Sequence, residues 1–141
     1  AKTTRLMRLL TILFCTLPLL AFSQNKLTIE IVGVQSSDGD VKVAVYDTSD
    51  AFLSKDKVFK TGSASAKEGK TEVSIDDIPD GEYAVVLYHD ANGNDELDTN
   101  WLGVPKEPVG FSNAKMKTFG PPKFKECVFK MEPITQIQVA L

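Results

Sequence analysis

The sequence predicts an all-β protein, an antiparallel β-sandwich of about seven strands with an immunoglobulin-like or transthyretin-like architecture. Apolar and polar residues alternate over several short stretches, which is the two-residue period of a strand with one buried face. Turn-forming residues separate these stretches at fairly regular intervals, and no long stretch has the 3.6-residue period of a helix. Short strands joined by frequent turns are typical of two packed antiparallel sheets.

Seven stretches share this alternation, and they cover residues 27–31, 41–45, 58–67, 71–75, 83–88, 127–131 and 137–141. The Ser- and Gly-containing turn at 36–40 predicts that the first two strands form a hairpin. The Pro-Asp-Gly sequence at 79–81 is a strong turn signal before the fifth strand. The residues predicted to face the core are Ile29, Ile31, Val43, Val45, Val73, Ile75, Val85, Leu87, Phe129, Ile137 and Val139.

Residues 1–23 have the features of a signal peptide. Three basic residues precede an apolar run of about fourteen residues, Leu9 to Phe22, which is shorter than the ~20 residues that a membrane span needs. Small residues just before Gln24 predict cleavage at that point, and a short N-terminal membrane anchor is the alternative. We therefore expect an exported protein, periplasmic or extracellular, with a single β-sandwich domain over residues 24–141.

The mature chain would be acidic and would contain one cysteine. Without the leader, 13 Lys and Arg remain against 19 Asp and Glu, so the net charge is near −6. Such a chain has no electrostatic reason to bind nucleic acid or anionic lipid. Cleavage also removes Cys15, and Cys127 alone cannot form an intramolecular disulfide. We expect a buried thiol at Cys127 and a monomer with no membrane span after leader removal.

The segment from His89 to Asn100 is the strongest candidate for a functional site. Oxygen-bearing side chains recur there at every second position, at Asp90, Asn92, Asn94, Glu96 and Asp98. This spacing lets a tightly turning loop direct several oxygens at one hard cation. In a calcium loop that starts at Asp90, Glu96 would donate its backbone carbonyl oxygen and the other four would donate side-chain oxygens. The sequence thus predicts Ca²⁺ as the ligand.

Two positions depart from the pattern of that calcium loop. Position 6 is Asp95 rather than Gly, and position 12 is Trp101 rather than a bidentate Glu. Glu107 is a distant candidate for the missing carboxylate. Without a bidentate anchor we expect an affinity of roughly 10⁻⁴ to 10⁻³ M. The alternatives are a loop of turns without metal, because Asp, Asn and Gly form tight turns on their own, and a site for another cation.

The stretch over residues 99–123 is rich in Gly and Pro and contains Trp101, Phe111 and Phe119. Irregular loops longer than ~12–15 residues are uncommon unless they are functional or packed on themselves. These aromatic residues would therefore either close one end of the sandwich or form the wall of a peptide- or glycan-binding groove. His89 ends the inward row of its strand and is either a structural histidine or a ligand-binding residue or general base beside that groove.

Six segments carry a resemblance to a known family: Val43–Asp47 with Phe52 and Leu53, Ile78–Val85, His89–Asn94, Leu97–Glu107, Gly110–Asn113, and Gly120–Pro122 with Phe124. Together they resemble the bacterial exported family catalogued as domain of unknown function 2141, over essentially the whole mature chain. The resemblance implies a small exported β-sandwich to which no activity is assigned. The family tends to have Gly where this chain has Asp95.

Three functions are compatible with these features. The first is a non-enzymatic, metal-stabilised module that binds an unknown peptide, glycan or envelope protein. The second is a purely structural envelope domain without metal. The third is a hydrolase in which Asp90 or Asp98 and a bound metal activate water. The first is favoured, because the loop of carboxylates and amides lies next to the aromatic loop. The sequence has no serine-nucleophile motif, phosphate-binding Gly loop or pair of His ligands that would favour the hydrolase.

Overall fold

The computed structural model describes residues 25–97 and 105–141. The predicted leader, Asp98 and Trp101 lie outside the described residues. The strands are β1 (Lys26–Val34), β2 (Asp40–Tyr46), β3 (Lys60–Ser65), β4 (Gly69–Asp76), β5 (Gly81–Asp90), β6 (Val109–Phe111), β7 (Phe129–Met131) and β8 (Ile134–Ala140). A 3₁₀ turn covers Lys55–Lys57 and a short helix, α1, covers Phe124–Cys127. Within the described ranges, no helix is long and apolar enough to cross a membrane.

The strands form two sheets. One has the order β4-β1-β8, and the other has the order β3-β2-β5-β6, with β7 also paired to β5. Every pair is antiparallel except β1–β8, which is parallel. The predicted all-β, two-sheet fold is therefore confirmed, and the immunoglobulin-like or transthyretin-like assignment stays a prediction.

The core lies between the two sheets and follows from the alternation of the sequence. Leu27, Ile29 and Ile31 of β1 point towards Val41 and the following alternate residues of β2, and all of them are buried. Of the residues predicted for the core, Phe129 and Ile137 are half-buried at its margin, and the rest are fully buried.

The predicted hairpin between the first two strands is wrong. β1 and β2 belong to different sheets, and the connection over residues 35–39 passes from one sheet to the other. Both strands present a fully apolar row, so the two rows bury each other across the sandwich instead of lying side by side. The parallel β1–β8 pair also differs from the expectation of purely antiparallel sheets. It arises because the chain changes sheets between β7 and β8, around Pro133, whose carbonyl oxygen accepts a hydrogen bond from Lys26.

A second apolar cluster covers the outer face of the five-stranded sheet. Ala84, Phe111 and Cys127 are buried in it, and Phe52 and Phe124 pack against them. The ring centroids of Phe52 and Phe124 are 5.8 Å apart in an edge-to-face arrangement. The central strand β5 is therefore covered on both faces, although the sheet is antiparallel.

Candidate functional site

The candidate loop starts at the last residue of β5, the strand that is covered on both faces. Side chains alternate between the two faces of a strand. Tyr83, Val85 and Leu87 therefore face the core between the sheets, and Asp90 ends the row that faces the outer side. Asp90 is nevertheless completely buried. A charged side chain is almost never fully buried unless it has a partner, so the surroundings of this carboxylate are informative.

One oxygen of the Asp90 carboxylate is bonded and the other is not. Oδ2 accepts a hydrogen bond of 2.8 Å from the backbone N–H of Asp95. Oδ1 is buried and has no hydrogen-bond partner in the part of the chain that the structure describes. Buried polar atoms in folded proteins almost always have a partner, and a buried unpartnered acceptor destabilises the fold. The free oxygen is therefore a candidate ligand for a cation.

The loop after Asp90 turns tightly through its own side chains. Asn92 Oδ1 accepts a hydrogen bond of 3.2 Å from the Asn94 N–H, and Asn94 Oδ1 accepts one of 3.0 Å from the Glu96 N–H. Asp95 has φ = 60°. A calcium loop has Gly at this sixth position because the chain turns sharply there. Asp95 thus adopts the left-handed conformation for which Gly is usually selected, and its N–H is the one bonded to Asp90.

Charged side chains from other parts of the fold surround the loop. Lys42 on the neighbouring strand β2 places Nζ 2.9 Å from Asp95 Oδ1 and 3.9 Å from Asp40 Oδ2. The hydrogen bond to Asp95 is the largest cause of a raised Lys42 pKa, to which the charges of Asp95, Asp40 and Asp90 also contribute. Glu107 reaches the start of the loop, where its Oε2 accepts a hydrogen bond of 3.3 Å from the Ala91 N–H.

The side chains around the loop do not form a cluster of carboxylate, imidazole or thiol groups that could hold a metal ion. Among residues 25–97 and 105–141, no three His, Cys, Asp or Glu side chains are grouped so that they could hold a metal ion. The described part of the loop therefore offers one buried carboxylate, Asp90, together with exposed Asn92, Asn94 and Glu96. The fourth predicted side-chain ligand, Asp98, lies outside the described residues.

The base of the loop packs against the connection between β1 and β2. His89 is buried, and its Nε2 is 2.6 Å from the carbonyl oxygen of Asp38. A carbonyl oxygen only accepts, so Nε2 carries the proton and donates it. The next residue, Gly39, has φ = 63°, and a Cβ at this position would overlap the carbonyl oxygen of Asp90. His89 and Gly39 thus hold the start of the loop in place.

Two of the three aromatic residues proposed for a binding groove lie within the described residues, and they differ in exposure. Phe111 is buried on the outer face of the five-stranded sheet. Phe119 is fully exposed in the turn between Lys117 and Gly120. Trp101 lies outside the described residues. Phe111 therefore belongs to the outer cluster, whereas the side chain of Phe119 is open to solvent.

A buried serine connects the outer cluster to β5. Ser112 Oγ donates a hydrogen bond of 2.6 Å to the Cys127 carbonyl oxygen and accepts one of 2.9 Å from the Val85 N–H. Cys127 is completely buried, and burial raises the pKa of its thiol to about 11. The thiol is therefore protonated at neutral pH, which agrees with the buried cysteine expected from the sequence.

Sequence reasoning missed Lys42 and Ser112 and named Glu107 only as a remote candidate. Each depends on which strands become neighbours. Lys42 reaches the loop because β2 lies beside β5, with Asp40 paired to Asp90. Ser112 reaches Val85 because β6 lies on the other side of β5. An alternation pattern shows which face of a strand is buried, but it does not show which strand lies next to it.

Comparison with known proteins places the chain in one family. The profile of a family described as "Uncharacterized protein conserved in bacteria (DUF2141)" matches residues 29–138. The chain belongs to this family. The match includes all of β2 to β7 and the whole Asp90 loop. No curated protein and no solved structure matches the chain.

Proposed function

We propose that this DUF2141 protein is an exported, non-enzymatic binding or accessory module of the bacterial envelope, in which the Asp90 loop binds Ca²⁺. Export is supported by the sequence of residues 1–23, with its basic start, apolar run and small residues before Gln24. The calcium proposal rests on the loop.

The observation that carries the calcium proposal is the buried, unpartnered Oδ1 of Asp90. A buried carboxylate oxygen with no donor is unfavourable, and a bound cation would compensate its charge directly. The second oxygen is held by the Asp95 N–H, so the orientation of the carboxylate is fixed before a cation binds. Asp90 would therefore be the anchor of the site.

The remaining ligands would come from the loop that follows. Asn92, Asn94 and Asp98 would supply side-chain oxygens, and Glu96 would supply its backbone carbonyl oxygen. Their hydrogen bonds to backbone N–H groups do not prevent binding, because a carboxamide oxygen has two lone pairs. Oxygen ligands of mixed type in an irregular loop suit Ca²⁺ better than Mg²⁺, which requires near-octahedral geometry. Few formal charges imply an affinity of roughly 10⁻⁴ to 10⁻³ M, the range of extracellular calcium modules.

The environments of His89 and Cys127 support a non-enzymatic role. The His89 Nε2–H is committed to the Asp38 carbonyl oxygen, and the ring is buried. The Cys127 thiol is buried with a raised pKa, whereas a nucleophilic cysteine needs exposure and a lowered pKa. Both residues have structural roles, and the loop itself is the candidate for ligand binding.

Isothermal titration calorimetry with CaCl₂ tests the proposal. The wild-type chain should bind one Ca²⁺ with a dissociation constant between about 0.1 and 1 mM, and Asp90→Ala should abolish the binding heat. Asp56→Asn is the matched control, because it removes an exposed carboxylate from the 3₁₀ turn and should bind Ca²⁺ like the wild type. If the wild type gives no binding heat, the loop is a metal-free turn and the protein is a structural domain; if Asp90→Ala binds as the wild type does, Asp90 is not a ligand.

A further inference from the structure

The chain over residues 117–120 forms a tight turn with an exposed aromatic residue at its tip. The Lys117 N–H donates to the Gly120 carbonyl oxygen at 2.9 Å, and the Gly120 N–H donates to the Lys117 carbonyl oxygen at 3.3 Å. This reciprocal pair closes a two-residue loop of the kind found in β-hairpins, with Thr118 and Phe119 at the tip. Phe119 is fully exposed. Its ring is therefore available to a partner without any rearrangement of the turn.

The base of this turn is anchored to the outer face of the five-stranded sheet. Lys117 Nζ lies 2.5 Å from Glu126 Oε1, and Glu126 Oε2 accepts a hydrogen bond of 2.7 Å from the Lys123 N–H. Pro122 is buried, and Phe124 packs against the outer cluster. The tip thus projects from a base that is fixed by several contacts.

The charges of the chain are unevenly distributed, and the turn lies in the basic part. Residues 25–97 contain 7 Lys against 15 Asp and Glu, whereas residues 105–141 contain 6 Lys against 3 Glu. Residues 115–125 include four lysines and no acidic residue. Lys115, Lys117, Lys123 and Lys125 are all exposed. The acidic net charge of the mature chain therefore conceals a positive segment on both sides of Phe119.

We propose that this turn docks the protein on a bilayer surface that contains anionic phospholipid. Phe119 would enter the interfacial region of the bilayer, and the lysines would contact the phosphate groups of the lipid headgroups. Each lysine near an anionic membrane surface strengthens binding about fivefold, and burial of a Phe side chain adds at least about tenfold. This role goes beyond calcium binding, and it replaces the expectation from the net charge that the chain has no affinity for anionic lipid.

The shape of the turn favours a bilayer over a peptide or a glycan. Sites for such ligands are concave, with a few polar groups that converge on the ligand. Phe119 instead protrudes, and Met116, three residues earlier, is also exposed. A fluid headgroup layer can surround a protruding ring, while the aliphatic stems of the neighbouring lysines lie along the same interface. The same surface repels the acidic residues of the rest of the chain, so the electrostatic field would direct the turn towards the lipid.

Co-sedimentation of the native protein with lipid vesicles tests the proposal. The buffer contains EDTA, so that the outcome does not depend on calcium binding by the Asp90 loop. With one aromatic ring and four lysines, one of them paired with Glu126, half of the wild-type protein should be bound at roughly 0.1–1 mM lipid in vesicles of equal parts phosphatidylglycerol and phosphatidylcholine. Vesicles of phosphatidylcholine alone should bind at least about tenfold more weakly, and about 0.5 M NaCl should release the protein from the mixed vesicles.

Substitutions at the tip test the role of the aromatic ring. Phe119→Ser should weaken binding to the mixed vesicles by at least about tenfold, whereas Phe119→Leu keeps the tip apolar and should bind within about threefold of the wild type. Ile134→Ser is the matched control, because it removes an exposed apolar side chain from the start of β8, and it should bind like the wild type. Since both side chains are exposed, none of these substitutions should change the melting temperature.

Substitutions of lysine test the role of the charge. The double variant Lys115→Gln and Lys125→Gln should bind the mixed vesicles roughly twentyfold more weakly than the wild type. Lys67→Gln and Lys70→Gln, which remove the same charge from the turn between β3 and β4, should bind like the wild type.

Three results would overturn the proposal. The first is a wild-type chain that stays in the supernatant with the mixed vesicles, and the second is equal binding to vesicles of phosphatidylcholine alone. The third is loss of binding in the Lys115 and Lys125 double variant while Phe119→Ser binds as the wild type does. That pattern would show attraction by charge alone, as expected of a surface for a soluble acidic partner, and not insertion into lipid.

Discussion

Replacing Asp90 with Asn should reverse the order of stability between calcium-free and calcium-containing buffer. Asn has nearly the same size as Asp and keeps an oxygen that accepts the Asp95 N–H, so the loop can retain its shape. It removes the negative charge from a completely buried position where one carboxylate oxygen has no partner. An unsatisfied buried polar group costs about 1–3 kcal/mol, and more when it is charged. In chelator we therefore expect Asp90→Asn to be about 1 kcal/mol more stable than the wild type.

Calcium should invert this difference. At ten times its dissociation constant, Ca²⁺ stabilises the folded wild type by about 1.4 kcal/mol through mass action. For a domain of roughly 120 residues this raises the melting temperature by about 4–7 °C. Asp90→Asn lacks the anchoring charge and should gain almost nothing. The wild type should then melt above the variant in calcium, although it melts below the variant in chelator.

Thermal unfolding followed by circular dichroism, in EDTA and in 10 mM CaCl₂, measures both effects. The control Asp56→Asn should follow the wild type in both buffers, and MgCl₂ should stabilise the wild type less than CaCl₂ does. If the wild type and Asp90→Asn keep the same order in both buffers, the unpartnered oxygen of Asp90 is not a calcium ligand.

Three further predictions concern residues around the loop and beneath it. Lys42→Met removes the ammonium group beside Asp95 and should tighten Ca²⁺ binding about three- to tenfold in calorimetry, because the ammonium repels the cation. Lys70→Met, which removes a lysine paired with Glu30 on the other sheet, is the control. An unchanged affinity of Lys42→Met would show that Lys42 does not oppose calcium binding. Ser112→Ala leaves the Val85 N–H and the Cys127 carbonyl oxygen without their buried partner. It should lower the free energy of unfolding, measured by urea denaturation, by about 2–3 kcal/mol. A loss below about 0.5 kcal/mol would contradict this role. Burial raises the pKa of the Cys127 thiol to about 11. This thiol should therefore react with Ellman's reagent at pH 8 much more slowly in the native protein than in the urea-unfolded protein. Equal reaction rates would show that the thiol is accessible in the native protein.

The sequence predicted the strands well, because alternation reports directly on burial. The rows Ile29–Ile31 and Val43–Val45 could be read as inward faces before any neighbour was known, and they are buried. Which strands pair with each other could not be predicted from this alternation. Two strands with equally apolar rows can lie side by side or face each other across a core. The turn at 36–40 suited either arrangement, and the predicted hairpin was wrong for that reason.

The sequence located the loop that forms the candidate site, but it did not predict the residues that surround this loop. The spacing of oxygen-bearing residues from Asp90 onwards located the loop. Complete burial of Asp90 could not be inferred, since the alternation of β5 places this residue in the row that faces away from the core between the sheets. The proximity of Lys42 required the pairing of β2 with β5, and that of Glu107 required the return of the chain towards β6. Contacts between residues distant in the sequence set the charge of the site.

The close approach of Gly39 to the Asp90 carbonyl has a consequence for how this loop can vary among related proteins. The Gly39 carbonyl oxygen also accepts a hydrogen bond of 3.0 Å from the Ala66 N–H, so the base of the loop is joined to the connections that link the two sheets. Residues 92–96 at the tip are exposed. Insertions and changes of ligand type should therefore accumulate at the tip, while a side chain at position 39 would require the base to be rebuilt. The fold separates an exposed tip, where substitutions meet solvent, from a base that leaves no room for a side chain at position 39.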